Sequence, residues 1–159
     1  MSTYAFEMTL FAINVSLVAA VVAFVATRWV VPALAPLTLA ASTAPLLAVS
    51  GLRASGAAVL LPGVATAEIP SAFAAALAYG DLASAAVAVL ALWAGCRRGL
   101  VWLYTVVGLG DLAVVGVHIV TTGVMPSELG AAYFLVVLMV PVLATCHALI
   151  VWRLLRAEG

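Results

Sequence analysis

Five long runs of apolar residues, separated by short segments that carry most of the charges, dominate this sequence. Each run holds roughly 20 residues, the length that an α-helix needs to cross a hydrocarbon layer of about 30 Å. With 67% hydrophobic and only 8% charged residues, the chain lacks the polar surface of a water-soluble domain. The pattern predicts one all-α domain over residues 1–159, an integral membrane helical bundle with five transmembrane helices. The predicted helices are about Met8–Thr27, Pro32–Leu52, Pro70–Gly95, Leu100–Thr122 and Glu128–Leu155.

Two parts of the chain fit this pattern less simply. Pro32, Pro36 and Pro45 interrupt the second run. The apolar segment Gly56–Ala67 is too short to cross a bilayer, so it either lies at the interface or folds back into the bundle. The first run has no basic residues before it and follows Glu7, which is unlike a secretory signal, so we expect it to be retained as a helix.

The arginines predict the orientation. Arg28 follows the first run, Arg97 and Arg98 join the third to the fourth, and Arg153 and Arg156 end the fifth, so all five fall on one side of a five-span chain. Only Arg53 falls on the other side. The positive-inside rule therefore predicts an N-terminus outside and a C-terminus in the cytoplasm.

Two aspartates, Asp81 and Asp111, lie inside apolar runs and share the tetrapeptide Gly-Asp-Leu-Ala. A carboxylate at membrane depth costs about 2.5–3.5 kcal/mol on insertion scales, so such residues commonly have a function. Counted from the tight turn at Gly95–Gly99, the two differ by only about 5 Å in height. We expect both to face the bundle and, if they meet, to share a proton. The repeated tetrapeptide is also a weak sign of an inverted duplication, an arrangement common in transporters.

Further polar residues lie at matching heights on the last two helices. Tyr104, Asp111 and His118 are seven residues apart and share one face of the fourth helix. Tyr133 is expected level with His118, and His147 level with Tyr104, which allows two Tyr–His pairs. The predicted site for a small ligand, a cation or a proton comprises Asp81, Asp111, His118, His147, Tyr104 and Tyr133. The alternative is a polar seam that only holds the helices together.

Other functions stay open at this stage. The two histidines differ by about 20 Å in predicted height, so no single bis-histidine haem is expected; a haem with one histidine and a bound pigment are the alternatives. Metal transport lacks closely spaced ligands. An intramembrane enzyme acting on a lipid or isoprenoid would use Asp81 or Asp111 as acid or base, and a non-catalytic accessory subunit would use neither. The sequence identifies neither a cofactor, nor a metal, nor a catalytic residue, and a net charge of zero argues against nucleic acid as a partner.

Several short strings in the last three runs carry a resemblance. They are Tyr79–Leu82, Gly108–Leu112, Leu129–Phe134, Val140–Pro141 and His147–Ile150. Over about residues 70–156 the chain resembles a group of small, uncharacterised bacterial polytopic membrane proteins. The resemblance implies a multi-pass protein of the bacterial inner membrane and a shared pattern that includes Asp81, Asp111, Pro141 and His147, but no activity. With little mass outside the lipid bilayer, such a chain is expected to work as a homo-oligomer or within a larger membrane complex.

Overall fold

The computed structural model describes residues 2–156, and this part of the chain consists of helices and short connections without any strand. A π-helical turn, Ala26–Val30, joins the first two α-helices, and 3₁₀ helices cover Leu52–Leu60 and Pro126–Leu129. The predicted all-α class is therefore confirmed. The α-helices are α1 (Thr3–Val25), α2 (Val31–Leu34), α3 (Leu39–Gly51), α4 (Ser71–Trp93), α5 (Arg98–Thr122) and α6 (Ala132–Arg156).

Five continuous helical stretches of the described chain are long and apolar enough to cross a membrane. This number agrees with the sequence prediction and indicates a multi-pass membrane protein. The stretches are Thr3–Leu34, Leu39–Leu60, Ser71–Trp93, Arg98–Thr122 and Ala132–Arg156.

The first two stretches differ from the predicted boundaries. The first helix does not end near Thr27 but continues to Leu34, because the π-helical turn precedes Pro32 and places it in the first turn of α2. The proline has no N–H to give to the preceding turn, and the hydrogen bonds change to the wider π spacing just before it, as from the Val31 N–H to the Ala26 carbonyl. The second stretch consequently begins at Leu39, after a turn that contains Pro36.

The second stretch also ends later than predicted. The 3₁₀ helix Leu52–Leu60 extends α3 by nine residues and packs against α4. Gly56–Ala67 is therefore not a separate surface segment: its first part folds into the bundle, and its second part forms a loop. That loop is held by backbone bonds from Thr66 N–H to the Glu128 carbonyl and from Ala131 N–H to the Val64 carbonyl.

The helices alternate in direction, which gives the bundle two ends. We call one the Gly95 end; it contains the turns at residues 35–38 and 94–97 and the last turn of α6. We call the other the Pro126 end; it contains the start of α1 and the loops at residues 61–70 and 123–131.

The turn between α4 and α5 confirms the predicted antiparallel hairpin. The Cys96 N–H bonds to the Ala91 carbonyl and the Gly95 N–H to the Leu92 carbonyl, the pattern of a Schellman helix end. Gly95 has a φ of 70°, a left-handed conformation that glycine adopts without steric penalty. Residues on both sides of this turn are thereby fixed at matching heights.

Two apolar clusters fill the bundle, one toward each end. The cluster at the Gly95 end includes Leu47, Ala88 and Ile150, and the cluster at the Pro126 end includes Phe73 and Val115. α4 lies at the centre, with a face of small residues that includes Ala78, Ala85 and Ala88 buried, whereas α1 packs on α6 and has no buried residue. The middle of the bundle, between the two clusters, is where the charged residues meet.

Candidate functional site

A buried arginine lies between the two predicted aspartates. The Nε of Arg53 donates to Oδ1 of Asp81 at 2.7 Å, and its Nη2 donates a short hydrogen bond to Oδ2 of Asp111. Its Nη1 donates to the carbonyl of Gly108 at 3.3 Å. The side chains of Arg53, Asp81 and Asp111 are 1%, 13% and 6% exposed. We call these three residues the Arg53 cluster.

The helices explain why these groups meet. Asp81 and Asp111 lie near the middle of α4 and α5, which the hairpin holds side by side. As predicted, both carboxylates lie at one level and point into the bundle, since both bond to the same guanidinium. Arg53 lies on the second stretch, about 20 Å along the helix from Leu39, and thus also near the middle.

The 3₁₀ geometry of Leu52–Leu60 directs the Arg53 side chain toward Asp81 and Asp111. A 3₁₀ helix has three residues per turn, so residues three apart lie directly above one another. Arg53, Gly56 and Val59 therefore share one face, and this face packs against α4. Arg53 bonds to Asp81, Gly56 lies against the same carboxylate, and Val59 enters the apolar cluster at the Pro126 end.

This arrangement corrects one sequence expectation and decides the condition of another. The sequence places Arg53 in a loop outside the membrane, whereas its side chain is buried between two helices. The aspartates are expected to share a proton if they meet, and a guanidinium lies between them instead. The physical reason is the same in both cases: two carboxylates in a low-dielectric interior are stabilised by a nearby cation, and the 3₁₀ helix supplies one.

Three glycines leave the space that the cluster and its neighbours occupy. A Cβ atom on Gly56 would lie 1.8 Å from Oδ2 of Asp81, and one on Gly80 would lie 1.7 Å from Oδ1 of Asp111. A Cβ atom on Gly108 would lie 2.4 Å from the His147 ring and 3.2 Å from Nη1 of Arg53. A side chain at any of these positions would displace the groups that face it.

Tyr104 and His147 form one of the two predicted Tyr–His pairs. Their rings stack with centroids 4.7 Å apart and an angle of 10°, and the Tyr104 hydroxyl lies 3.2 Å from Nε2 of His147. Both residues are fully buried, and His147 touches Gly108 beside Arg53. The pair therefore adjoins the Arg53 cluster on the side of the Gly95 end.

The structure does not bring His118 and Tyr133 to the cluster. The Tyr133 hydroxyl accepts a hydrogen bond from Nδ2 of Asn14 at 2.6 Å, which ties α6 to α1 instead of to His118. His118 is half-buried and lies seven residues, or about 10 Å, beyond Asp111 toward the Pro126 end. Tyr104, Asp81, Asp111 and His147 are thus the predicted site residues that come together.

A small cavity of about 40 Å³ adjoins the cluster on the side of the Pro126 end. Arg53, Asp81 and Asp111 form part of its wall, together with Ser55 and apolar residues such as Leu77 and Val136. Since one water needs about 10–15 Å³ on this measure, the cavity has room for about three water-sized groups. Within the described residues, no group of three or more His, Cys, Asp or Glu side chains is arranged to hold a metal ion.

The sequence prediction missed Arg53 and the glycines that face the aspartates. A signal for Arg53 was present: it is the only charged residue between Leu39 and Leu60, and two aspartates at membrane depth call for a positive partner. The residues around Arg53 include Gly51, Ser55 and Gly56. These residue types are common in turns and therefore suggested a loop. The roles of Gly56, Gly80 and Gly108 depend on which helices touch, which the sequence alone does not specify.

Fold and site together define an all-helical, multi-pass type of membrane protein that holds one buried arginine between two buried aspartates. The chain belongs to the family DUF8737, described as a domain of unknown function, whose model matches residues 10–155. This confirms the expected membership of a family with no known activity. No curated protein and no solved structure matches the chain.

Proposed function

We propose that this protein binds and carries protons across the bacterial inner membrane, with the Arg53 cluster as its proton-binding site. The observation that carries the proposal is the charge of the cluster. One guanidinium faces two carboxylates, so the ionised cluster has a net charge of −1 in a low-dielectric interior. An unmatched charge there is costly, and taking up one proton removes it.

The cavity favours a proton over a larger cation. A metal or alkali ion needs several oxygen ligands, but the cavity wall offers only Ser55 and the two aspartates as polar side chains beside Arg53. The Ser55 hydroxyl is already bonded to the carbonyl of Leu52. A proton needs only one carboxylate oxygen. A cavity of about 40 Å³ also has no room for a lipid or isoprenoid, which argues against an enzyme acting on such substrates.

The arginines support the proposed orientation, with the Pro126 end outside and the Gly95 end in the cytoplasm. Arg53 was the one exception to the positive-inside pattern, and its buried ion pairs remove it from the count of loop charges. Arg97, Arg98, Arg153 and Arg156 lie at the Gly95 end. Arg28 is exposed and lies six residues before the end of its helix. Its long side chain can extend to the membrane interface at the Gly95 end.

A second candidate function is that of an accessory subunit in which the Arg53 cluster only joins helices. The specific observation in its favour is that Nε, Nη1 and Nη2 of Arg53 all donate hydrogen bonds within the protein. A buried ion pair that is well satisfied can serve structure alone. The two functions differ in whether the cluster exchanges a proton.

The test is proton flux into liposomes that contain the purified protein and a pH-sensitive dye, driven by a membrane potential. We expect flux in the wild-type protein and its loss in Asp111→Asn, by about 100-fold, a typical effect of removing a group that transfers a proton. Asparagine keeps an acceptor for Arg53 but cannot exchange a proton.

The matched control is Glu68→Gln, which removes a carboxylate in the exposed loop at residues 61–70. Hydrogen bonds from the Thr66 side chain and from its own backbone hold the pKa of Glu68 below its usual value, so the control also removes a negative charge at neutral pH. Glu68→Gln should conduct as the wild-type protein does. Equal flux in Asp111→Asn and wild type, or no flux in either, would contradict the proposal.

A further inference from the structure

We propose that His147 accepts the proton from the Arg53 cluster and that Tyr104 holds its ring in place for that transfer. This inference rests on the proposed function and names the next residue on the route of the proton. The cavity adjoins the Arg53 cluster toward the Pro126 end, and the Tyr104–His147 pair adjoins it toward the Gly95 end; neither Tyr104 nor His147 lines the cavity. The cluster therefore lies between the cavity and the buried Tyr104–His147 pair.

The first supporting observation is contact. The ring of His147 and the guanidinium of Arg53 both lie in the space that Gly108 leaves open, and Nη1 of Arg53 bonds to the Gly108 carbonyl. The imidazole therefore lies directly beside the ion pairs, although His147 is on α6 and forms no part of them.

The second observation is a nitrogen without a partner. His147 is 1% exposed, its Nε2 faces the Tyr104 hydroxyl, and its Nδ1 has no hydrogen-bond partner among the described residues. Buried polar atoms are nearly always satisfied, by protein or by water. In the tautomer whose Nε2–H donates to the Tyr104 oxygen, Nδ1 is unprotonated and is available as the acceptor of a proton.

The proton step balances within four groups. When one carboxyl of the cluster is protonated, Arg53, Asp81, Asp111 and neutral His147 sum to zero charge. The O–H bond of that carboxyl breaks, and an N–H bond forms at Nδ1 of His147. The carboxyl returns to a carboxylate bonded to Arg53 and the imidazole becomes an imidazolium, so the sum is again zero.

Charged and titratable groups surround His147 on every helix packed around it. Arg53 repels the imidazolium and the two carboxylates attract it, so the charge of the imidazolium is balanced only while both carboxyl groups are ionised. These groups are Arg53 on the 3₁₀ helix, Asp81 on α4, Tyr104 and Asp111 on α5, and Cys146 on α6.

The experiment compares His147→Gln with the wild-type protein in two measurements. Proton flux into liposomes reports transfer, and the infrared band of a protonated carboxyl, followed with pH, reports proton binding by the cluster. We expect His147→Gln to lose about 100-fold in flux while it keeps the carboxyl band. Unchanged flux in His147→Gln would overturn the role of His147 and leave the proposed function intact.

A direct measurement covers the case in which His147→Gln fails to fold. The chain has two histidines, so ¹⁵N-histidine labelling of His118→Gln gives signals from His147 alone. We expect a neutral imidazole with an unprotonated Nδ1 at high pH and an imidazolium as the pH falls. Asp111→Asn, added to His118→Gln, should shift the pH of that change. A ring that stays neutral over the whole pH range in which the wild-type protein carries protons would overturn the inference. A protein without flux and without a carboxyl band would instead refute the proposed function.

Discussion

Each aspartate of the Arg53 cluster fits because a glycine faces it from a neighbouring helix. The two copies of Gly-Asp-Leu-Ala differ in this respect. Gly80, in the first copy, faces Asp111 of the second, whereas a Cβ atom on Gly110 would meet nothing within 4 Å. The copies are therefore not equivalent: one glycine makes room for an ion pair and the other only precedes an aspartate.

This difference predicts opposite effects for two matched substitutions. Gly80→Ala places a methyl group 1.7 Å from Oδ1 of Asp111, so it should destabilise the protein by about 1–3 kcal/mol through overpacking. Gly110→Ala should be neutral or stabilise by up to about 1 kcal/mol, the helix propensity of alanine over glycine. Thermal unfolding in detergent measures both. Equal melting temperatures for the two variants would show that Asp111 does not lie against Gly80.

At the scale of elements, α6 is fastened at its two ends by different residues. At the Pro126 end, Tyr133 accepts the bond from Asn14 of α1. At the Gly95 end, Nε of Arg153 donates to Oγ of Ser42 at 2.9 Å, Nη1 donates to the Ala35 carbonyl at 3.1 Å, and Nη2 donates to the Leu37 carbonyl. Arg153 thus satisfies carbonyls in the turn between α2 and α3, which have no helical donor.

Removal of the Arg153 hydrogen bonds should destabilise the packing of α6 at the Gly95 end. Arg153→Met keeps most of the apolar side-chain stem but leaves the Ala35 and Leu37 carbonyls without their donors, so we expect a loss of about 1–3 kcal/mol in stability. Arg156→Met is the control, because Arg156 is exposed and lies over the Trp152 ring at 4.8 Å. It should cost less than about 1 kcal/mol. Arg153 also lies 5.4 Å from the Trp152 ring, so the difference between the two variants, measured by unfolding in detergent, reports the hydrogen bonds to the turn; an equal loss would mean that these bonds add nothing.

The helices that the sequence predicted best are those joined by a clear turn. The hairpin of α4 and α5 follows from Gly95 and the arginines next to it, and with it the common level of Asp81 and Asp111. The second stretch was predicted poorly, because Gly51, Ser55 and Gly56 read as loop residues although they belong to a helix of 3₁₀ type. A pattern with a period of 3.6 residues cannot show a face that repeats every three residues, and Arg53 was missed for that reason.

In the whole molecule, the arginines and their partners fall into two groups by position. Charges in the middle of the bundle are paired in the Arg53 cluster, and the other arginines lie at or near the Gly95 end. Only the second group can act on the orientation of the chain, since the positive-inside rule counts charges in short loops and near the ends of spans. The orientation and the buried site can therefore be changed independently.

This separation predicts the outcome of reporter fusions. A reporter that is active only in the cytoplasm should be active when fused after Gly159 and inactive when inserted between Pro62 and Gly63, in the loop at the Pro126 end. Arg53→Gln should leave both results unchanged, because its charge belongs to the buried cluster. Arg97→Gln combined with Arg98→Gln should lower the cytoplasmic signal at the C-terminus, because two of the loop charges that favour the proposed orientation are lost. An inactive reporter after Gly159 in the wild-type protein would reverse the orientation, and a change caused by Arg53→Gln alone would show that this arginine acts as a loop charge during insertion.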